Sequence, residues 1–513
     1  MIFWQLISDS LSYASVQIQI GQNFSGSDNS GTGITPADSN GAIGPQHFVE
    51  FINGAFAIYN KTNSELVSRI SDMDFWANAG VAVPLFDDIS DPRLIYDPTV
   101  QRWFATQVDF DSFAADPTDS ANDFLLAVSD TADPTGSWHG VLFQADPKTG
   151  FFADFPTLGV DAVAVYVSGD MFSSGNPVGC TLWSIPKADL LIDEIPADIT
   201  NATSFGIMSF SDRGRVLQPS TCLDGSGVGD ILAAGDIFNG NTLMESKVLD
   251  GDTANATMLP ATPISVDPYS YPFDATQPDG SDNLSDNEAR LSSKVYTVGG
   301  VIYAAQNINV NNRAAIRWYR LDATNDTLLE SGTLSDTNLD LFFPSIAATK
   351  NGVIIIACNG SSLDVPVSSY AFAGQTVAGV TSFSGLTLLE AGTIPNYQDG
   401  STESRWGDYS TTSLDPSDAS RFWTIQLLPL TSGTWATRIT EILVAPPLAI
   451  TATDTNVNLS WPLFGANYQL QSATNLLGDW SFVSQTSTTN GDQISVTLPQ
   501  NATPQFFRLV EPK

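Results

Sequence analysis

The sequence predicts an all-β chain: a β-propeller of about seven blades followed by a small β-sandwich. Three observations predict it. A short strand, a turn and a second, aromatic-rich strand recur at intervals of roughly 45 to 70 residues, the period of a unit that cannot bury its faces alone. The copies begin at Gly44, Asp91, Phe155, Gln218, Arg290, Phe343 and Arg405. No stretch shows a helical period, and turn dipeptides such as Asp97-Pro98, Asp133-Pro134, Asn239-Gly240, Asn351-Gly352 and Asp415-Pro416 punctuate the apolar runs.

The elements follow in order. Residues 1–34 hold one alternating run, residues 15–20, and alternation marks a half-buried strand. It is a candidate to close the ring by pairing with the last blade, since an unpaired edge is a liability. The apolar start lacks a basic region and is broken by Asp9, so it reads either as a truncated export signal or as none. Residues 35–443 form the propeller. Within them, residues 266–289 are rich in Asp, Pro, Asn and Ser and read as an exposed excursion over one face of the disc. Pro446-Pro447 marks a linker over residues 444–449. Residues 450–513 then show closely spaced strands and an Asn490-Gly491 hairpin signal. Trp461, Tyr468, Leu470, Trp480, Phe482 and Phe506 are the expected core of this sandwich.

Composition narrows the function. With 42% hydrophobic and 15% charged residues the chain is an ordered globular protein. A net charge of −36, from 56 acidic and 20 basic side chains, opposes binding to nucleic-acid phosphates and to anionic membranes. Such charge also favours a soluble monomer, and no run is long enough for a transmembrane helix. The three cysteines are too few for a disulfide scaffold; Cys180 and Cys222, in neighbouring repeats, can pair, and Cys358 reads as a buried thiol.

Several segments resemble a family of exported bacterial β-propeller proteins. They are residues 35–49 (TPADSNGAIGPQHFV), residues 91–97 (DPRLIYD) with Arg102-Trp103-Phe104, residues 316–319 (IRWY), and residues 405–410 (RWGDYS) with Asp415-Pro416 and Phe422-Trp423. Together they run in order across most of residues 35–443. NVNLSWP, YQLQSATNL and QFFRLV are similar to fibronectin type III-like ends on exported proteins of Verrucomicrobia and related bacteria. The resemblance implies an extracellular or cell-surface location. It implies no reaction, because the family has no established activity as a group.

Candidate site residues follow from the repeat. The start of each innermost strand faces the channel mouth, which places Asp38, His47, Asp91, Arg93, Asp154, Arg290, Arg405 and Asp408, with Tyr409, in one polar ring. The ring suits a small molecule, peptide or glycan; the same residues also suit ion pairs among themselves. His47 and His139 are the only histidines, which excludes a His-rich Zn²⁺ site and leaves little material for a Ser-His-Asp triad; His139 is expected to be exposed. Residues 131–138 approximate an Asp-box, which staples a hairpin. Asp38-Ser39-Asn40, Asp87-Asp88 and residues 279–283 offer oxygen ligands of the kind Ca²⁺ takes, and no other cofactor is expected. The leading expectation is a secreted or cell-surface protein that binds a glycan or protein without catalysis. The alternative is a carbohydrate-active hydrolase or lyase using carboxylates at the mouth, with Arg93, Arg290 and Arg405 as the anion-binding cluster.

Overall fold

A computed structural model describes residues 16–192, 197–278, 283–401, 404–453, 455–491, 493–500 and 505–510. The apolar N-terminal residues 1–15 and residues 279–282 of the acidic loop lie outside the described residues.

Strands dominate, and they are grouped as antiparallel meanders in chain order. One is typical: Asp87–Asp97, Arg102–Asp111, Asp123–Ser129 and Trp138–Gln144 pair successively as a four-stranded sheet. The innermost strands of successive meanders are Gly41–Ile43, Asp87–Asp97, Phe152–Val160, Arg215–Pro219, Tyr296–Val298, Asp340–Ala348 and Thr411–Leu414. The last meander takes its outer strand from the other end of the chain. Gln17–Asp28 runs antiparallel to Thr434–Ala445, with Gln17 opposite Ala445 and Asp28 opposite Ala436. Both ends of the propeller thereby share one sheet, and the circle of meanders is closed. Glu50 locks this junction: its buried carboxylate accepts hydrogen bonds from Ser27 Oγ (2.8 Å) and Tyr59 OH (2.9 Å). A buried carboxylate is tolerable only when so satisfied.

Apolar side chains fill the gaps between meanders. Trp76, Trp103 and Trp138 pack with Phe51, Phe56 and Phe75 between the first two. Gly44 sits there because a Cβ at that position would lie 2.4 Å from the Trp103 ring.

Four innermost strands share a distortion. Their register slips between Ser90 and Arg93, Asp154 and Thr157, Arg215 and Gln218, and Phe342 and Ser345. At each slip one residue takes a positive φ: Asp91 (61°), Phe155 (52°), Val216 (55°) and Phe343 (47°). Three of these precede proline, which a bulge tolerates because the ladder needs no N–H there. Positive φ costs free energy in a residue with a Cβ. Its recurrence at equivalent places shows that the fold requires the bulge at the axis.

The C-terminal residues form two sheets. Ala449–Ala452, Asn456–Pro462, Gln493–Pro499 and Thr488–Asn490 make one; Ser481–Phe482, Gln469–Ala473 and Phe506–Val510 make the other. Their shared core is Leu459, Trp461, Leu470, Ile494, Val496 and Leu498. Phe482 does not join it: it is 60% exposed, on a two-residue edge strand. Trp480 instead lies under the Arg508 guanidinium, 4.3 Å from its centre.

Three further expectations need correction. Cys180 and Cys222 are separate, buried thiols, because one stands on the third strand of its meander and the other at the axis end of the next. His139 is buried, with its Nε2 2.9 Å from Asp130, because its strand is covered by the neighbouring loop at Ala79. The described residues of segment 266–289 are exposed only in part, Tyr271 and Phe273 among them. Gln277 is buried and donates to the Tyr397 carbonyl, Thr276 hydrogen-bonds Asp340, and Leu284 pairs with Ser404.

Candidate functional site at the axial mouth

The innermost strands converge at their starting ends, and the bulges turn side chains toward the axis there. Asp38, Asp91 and Asp408 come together, with carboxylate oxygens within 4.8 Å of one another and all three residues buried. Asp38 is held from two sides: Asn53 Nδ2 donates to Oδ2 at 2.8 Å, and the Asp408 backbone N–H donates to Oδ1 at 2.7 Å. Asp91 accepts from Ser90 Oγ at 2.9 Å. Asp408 accepts from Arg405 (2.6 Å) and from Asn287 Nδ2 (2.9 Å). The trio has the oxygen chemistry that a hard divalent cation takes.

Beneath the carboxylates a cation stacks on aromatic rings. Arg93 is 3.4 Å from the centre of the Tyr409 ring and 4.8 Å from that of Phe155. Its Nε donates to the Pro156 carbonyl at 2.8 Å and its Nη1 to the Ser292 carbonyl at 3.0 Å. Tyr409 in turn donates to the Pro92 carbonyl at 2.9 Å. Phe155, Val216 and Tyr409 form an apolar cluster of their own, so the channel is plugged at this depth. Arg290 lies 4.8 Å from the Phe155 ring and is bound by Glu288 through Nε at 2.8 Å.

Burial and neighbouring charge separate the carboxyls. Burial pushes Asp38 well up, and the charges of Asp408 and Asp91 add to it. Asp91 is also raised by burial and by Asp408. In Asp408 burial acts in the same direction, but Arg405, Arg290 and the Asn287 amide outweigh it and hold the carboxyl below its ordinary range. Asp154 is pushed up to about 7 by desolvation and by Asp91 and Asp408. Its side chain keeps solvent-accessible surface at this mouth. Asp170, which accepts the Val216 N–H at 3.1 Å, is raised by burial to about 6.

Thus Asp38, Asp91, Arg93, Asp154, Arg290, Arg405, Asp408 and Tyr409 meet at one mouth. His47 does not: it starts the second strand of the first meander, at the opposite end of the sheet, with Nδ1 3.8 Å from Asp133. The positions missed were Asp170, Asn287 and Glu288. Asp170 lies on a second strand, Ala164–Ser173, and so has no inner-strand signature. Asn287 and Glu288 belong to the segment read as an excursion. Of the Ca²⁺ candidates among the described residues, Asp38 enters the axial cluster, whereas Asp87 and Asp88 lie at the rim, where Asp88 Oδ1 accepts the Ile89 N–H; residues 279–282 lie outside the described residues.

No protein-family model matches the chain, and no curated protein does. Among solved structures it is similar to a protein of unknown function from Dyadobacter fermentans, at 9% identity over 71% of this chain and 97% of that one, TM-score 0.39. It is also similar to Drosophila semaphorin 1b extracellular domains 1–2, at 8% identity over 84% and 88%, TM-score 0.38. A third likeness is to Trypanosoma rangeli sialidase in complex with sialic acid, at 8% identity over 82% and 83%, TM-score 0.34. Likeness this distant decides neither ligand nor chemistry.

Proposed function

We propose that the protein is a secreted or cell-surface binding protein that recognises a glycan or a protein on the propeller face around Asp38 and Asp408. The observation that carries this reading is the pairing of exposed aromatic rings on that face. Phe86 and Phe113 stand edge to face at 5.6 Å, 63% and 78% exposed. Phe238 and Tyr271 are stacked 6.1 Å apart with planes 6° from parallel. All four lie in loops at the end where innermost strands begin, since Asp87 pairs with Asp111 and Asn239 with Ser270. Flat, exposed rings beside a polar channel are suited to sugar faces and to protein side chains. The charged ring at the centre is largely satisfied internally, which favours recognition over turnover.

The test is a glycan panel together with candidate protein ligands, read for saturable binding and for product. Binding without product, reduced at least tenfold by Phe113→Ala or Tyr271→Ala, is the expected outcome. Absence of binding to every ligand class, or binding indifferent to both substitutions, would count against this face.

A second reading, a hydrolase or lyase acting on carbohydrate, rests on Asp154 and Asp408. Their environments push the two carboxyls apart, one toward 7 and one below the usual range, the separation that an acid and its charged partner need. Product formation that Asp154→Asn abolishes in a folded protein would establish it over the first.

A further inference from the structure

The channel has a second end, and its chemistry is different. Where the innermost strands finish they surround a cavity of about 290 Å³. Ile43, Ile95, Leu223 and Leu414 give it apolar walls, and Lys294 lines it from the interior. Lys294 is 6% exposed. Its Nζ donates to the backbone carbonyls of Gly41, at 3.3 Å, and Leu94. An ammonium has three N–H donors. The third has no partner among the described residues.

The other charged groups around the cavity do not neutralise it. Asp415 is taken by Lys61 at 2.6 Å, and Asp418 by Arg421 at 3.0 Å. The Tyr296 hydroxyl donates to the Thr412 carbonyl, and burial pushes both Tyr96 and Tyr296 upward, so both phenols stay uncharged and neither offers a counter-ion. Arg93, the next charge inward, is a second buried cation, and its Nη2 has no hydrogen-bond partner among the described residues. Desolvation, and then the charge of Arg93, bring Lys294 down to about 7. A buried ammonium without a counter-ion is costly, and an anion entering from the cavity removes that cost.

We propose that this cavity binds a small carboxylate with an apolar body, its carboxylate accepting the third N–H of Lys294 while the body lies against Ile43, Ile95, Leu223 and Leu414. The volume is at the small end for a ligand pocket, about 300 Å³ and upward. It suits one short chain or a single ring.

Calorimetric titration of the full chain with benzoate and with hexanoate tests the proposal, with benzamide and hexanamide as neutral counterparts. One of the carboxylates should bind saturably at one site, at least tenfold more tightly at pH 6 than at pH 9, and take up a proton at pH 8. The amides should bind at least tenfold more weakly. Lys294→Met should abolish binding, and Leu414→Trp, which fills the cavity from its outer wall and leaves the lysine in place, should do the same. Failure of both carboxylates to bind, equal binding of acid and amide, or binding untouched by Leu414→Trp would each overturn it.

Discussion

The two mouths of the channel solve the problem of buried charge in opposite ways. At the Asp38 mouth every arginine meets a carboxylate or an aromatic ring: Arg405 with Asp408, Arg290 with Glu288, Arg93 with Tyr409. At the far mouth Lys294 meets, among the described residues, only backbone carbonyls. The first arrangement is closed and rigid, and any ligand must compete with existing partners or sit above them on the aromatic rim. The second leaves an unfilled donor facing an apolar space. Only 20 basic residues offset 56 acidic ones in this chain, so an isolated lysine beside a cavity stands out against its background.

The sharpest way to break the contrast is Tyr409→Ala. It removes the ring beneath Arg93 and the hydrogen bond to Pro92, leaving a buried cation uncovered. A loss of about 3 to 5 kcal/mol in urea unfolding is expected. A loss below about 1 kcal/mol would show that the plug is not structural.

Lys294→Met probes the other mouth. The lysine titrates near 7 in the fold and near 10.4 in the unfolded chain, so the unfolded state binds more protons between those values. Wild-type stability should therefore gain a rising component from pH 7 to 10. The substitution should remove that rise and stabilise the protein at pH 6, read as melting temperature across the range.

Asp154 has the reverse sign. Its folded value, about 7, lies above the unfolded one near 3.9, so the folded state binds more protons from about pH 4 to 7. This component favours the fold at acid pH and is lost as pH rises through 7. Asp154→Asn should flatten that part of the profile. An unchanged slope would mean that the carboxyl is solvated in the channel. The smallest effect belongs to Arg405→Ala, because that side chain is 49% exposed and Arg290 and the Asn287 amide still offset the buried Asp408 charge. Its signature should be in ligand binding at the Asp38 mouth, with the melting temperature nearly constant.

How far residues could be read in advance depended on the kind of signal they carry. The axial ring was legible because the repeat offers one offset, and Asp91, Arg93, Asp154, Arg290, Arg405 and Asp408 share it. His47 was misplaced by a single step of that reasoning. The first innermost strand is only Gly41–Ile43, so the aromatic-rich run that follows His47 is its second strand. Asn287 and Glu288 were hidden because a polar, proline-rich segment reads as surface, and only packing reveals that Leu284, Asp286 and Ala289 are buried. Lys294 lies within the copy that begins at Arg290, but past the offset that marks the first mouth, so the repeat does not single it out.

The sequence by itself determined the all-β class and the repeat. These depend on local backbone preferences and on periodicity, which are written residue by residue. Tertiary structure decided which charges meet. Ion pairing, desolvation and the vacant donor on Lys294 arise between strands up to 370 residues apart, as with Asp38 and Asp408, and no local pattern encodes them. Closing the ring by pairing Gln17–Asp28 with Thr434–Ala445 brings these distant strand ends around one axis. The two mouths acquire their opposite chemistry there.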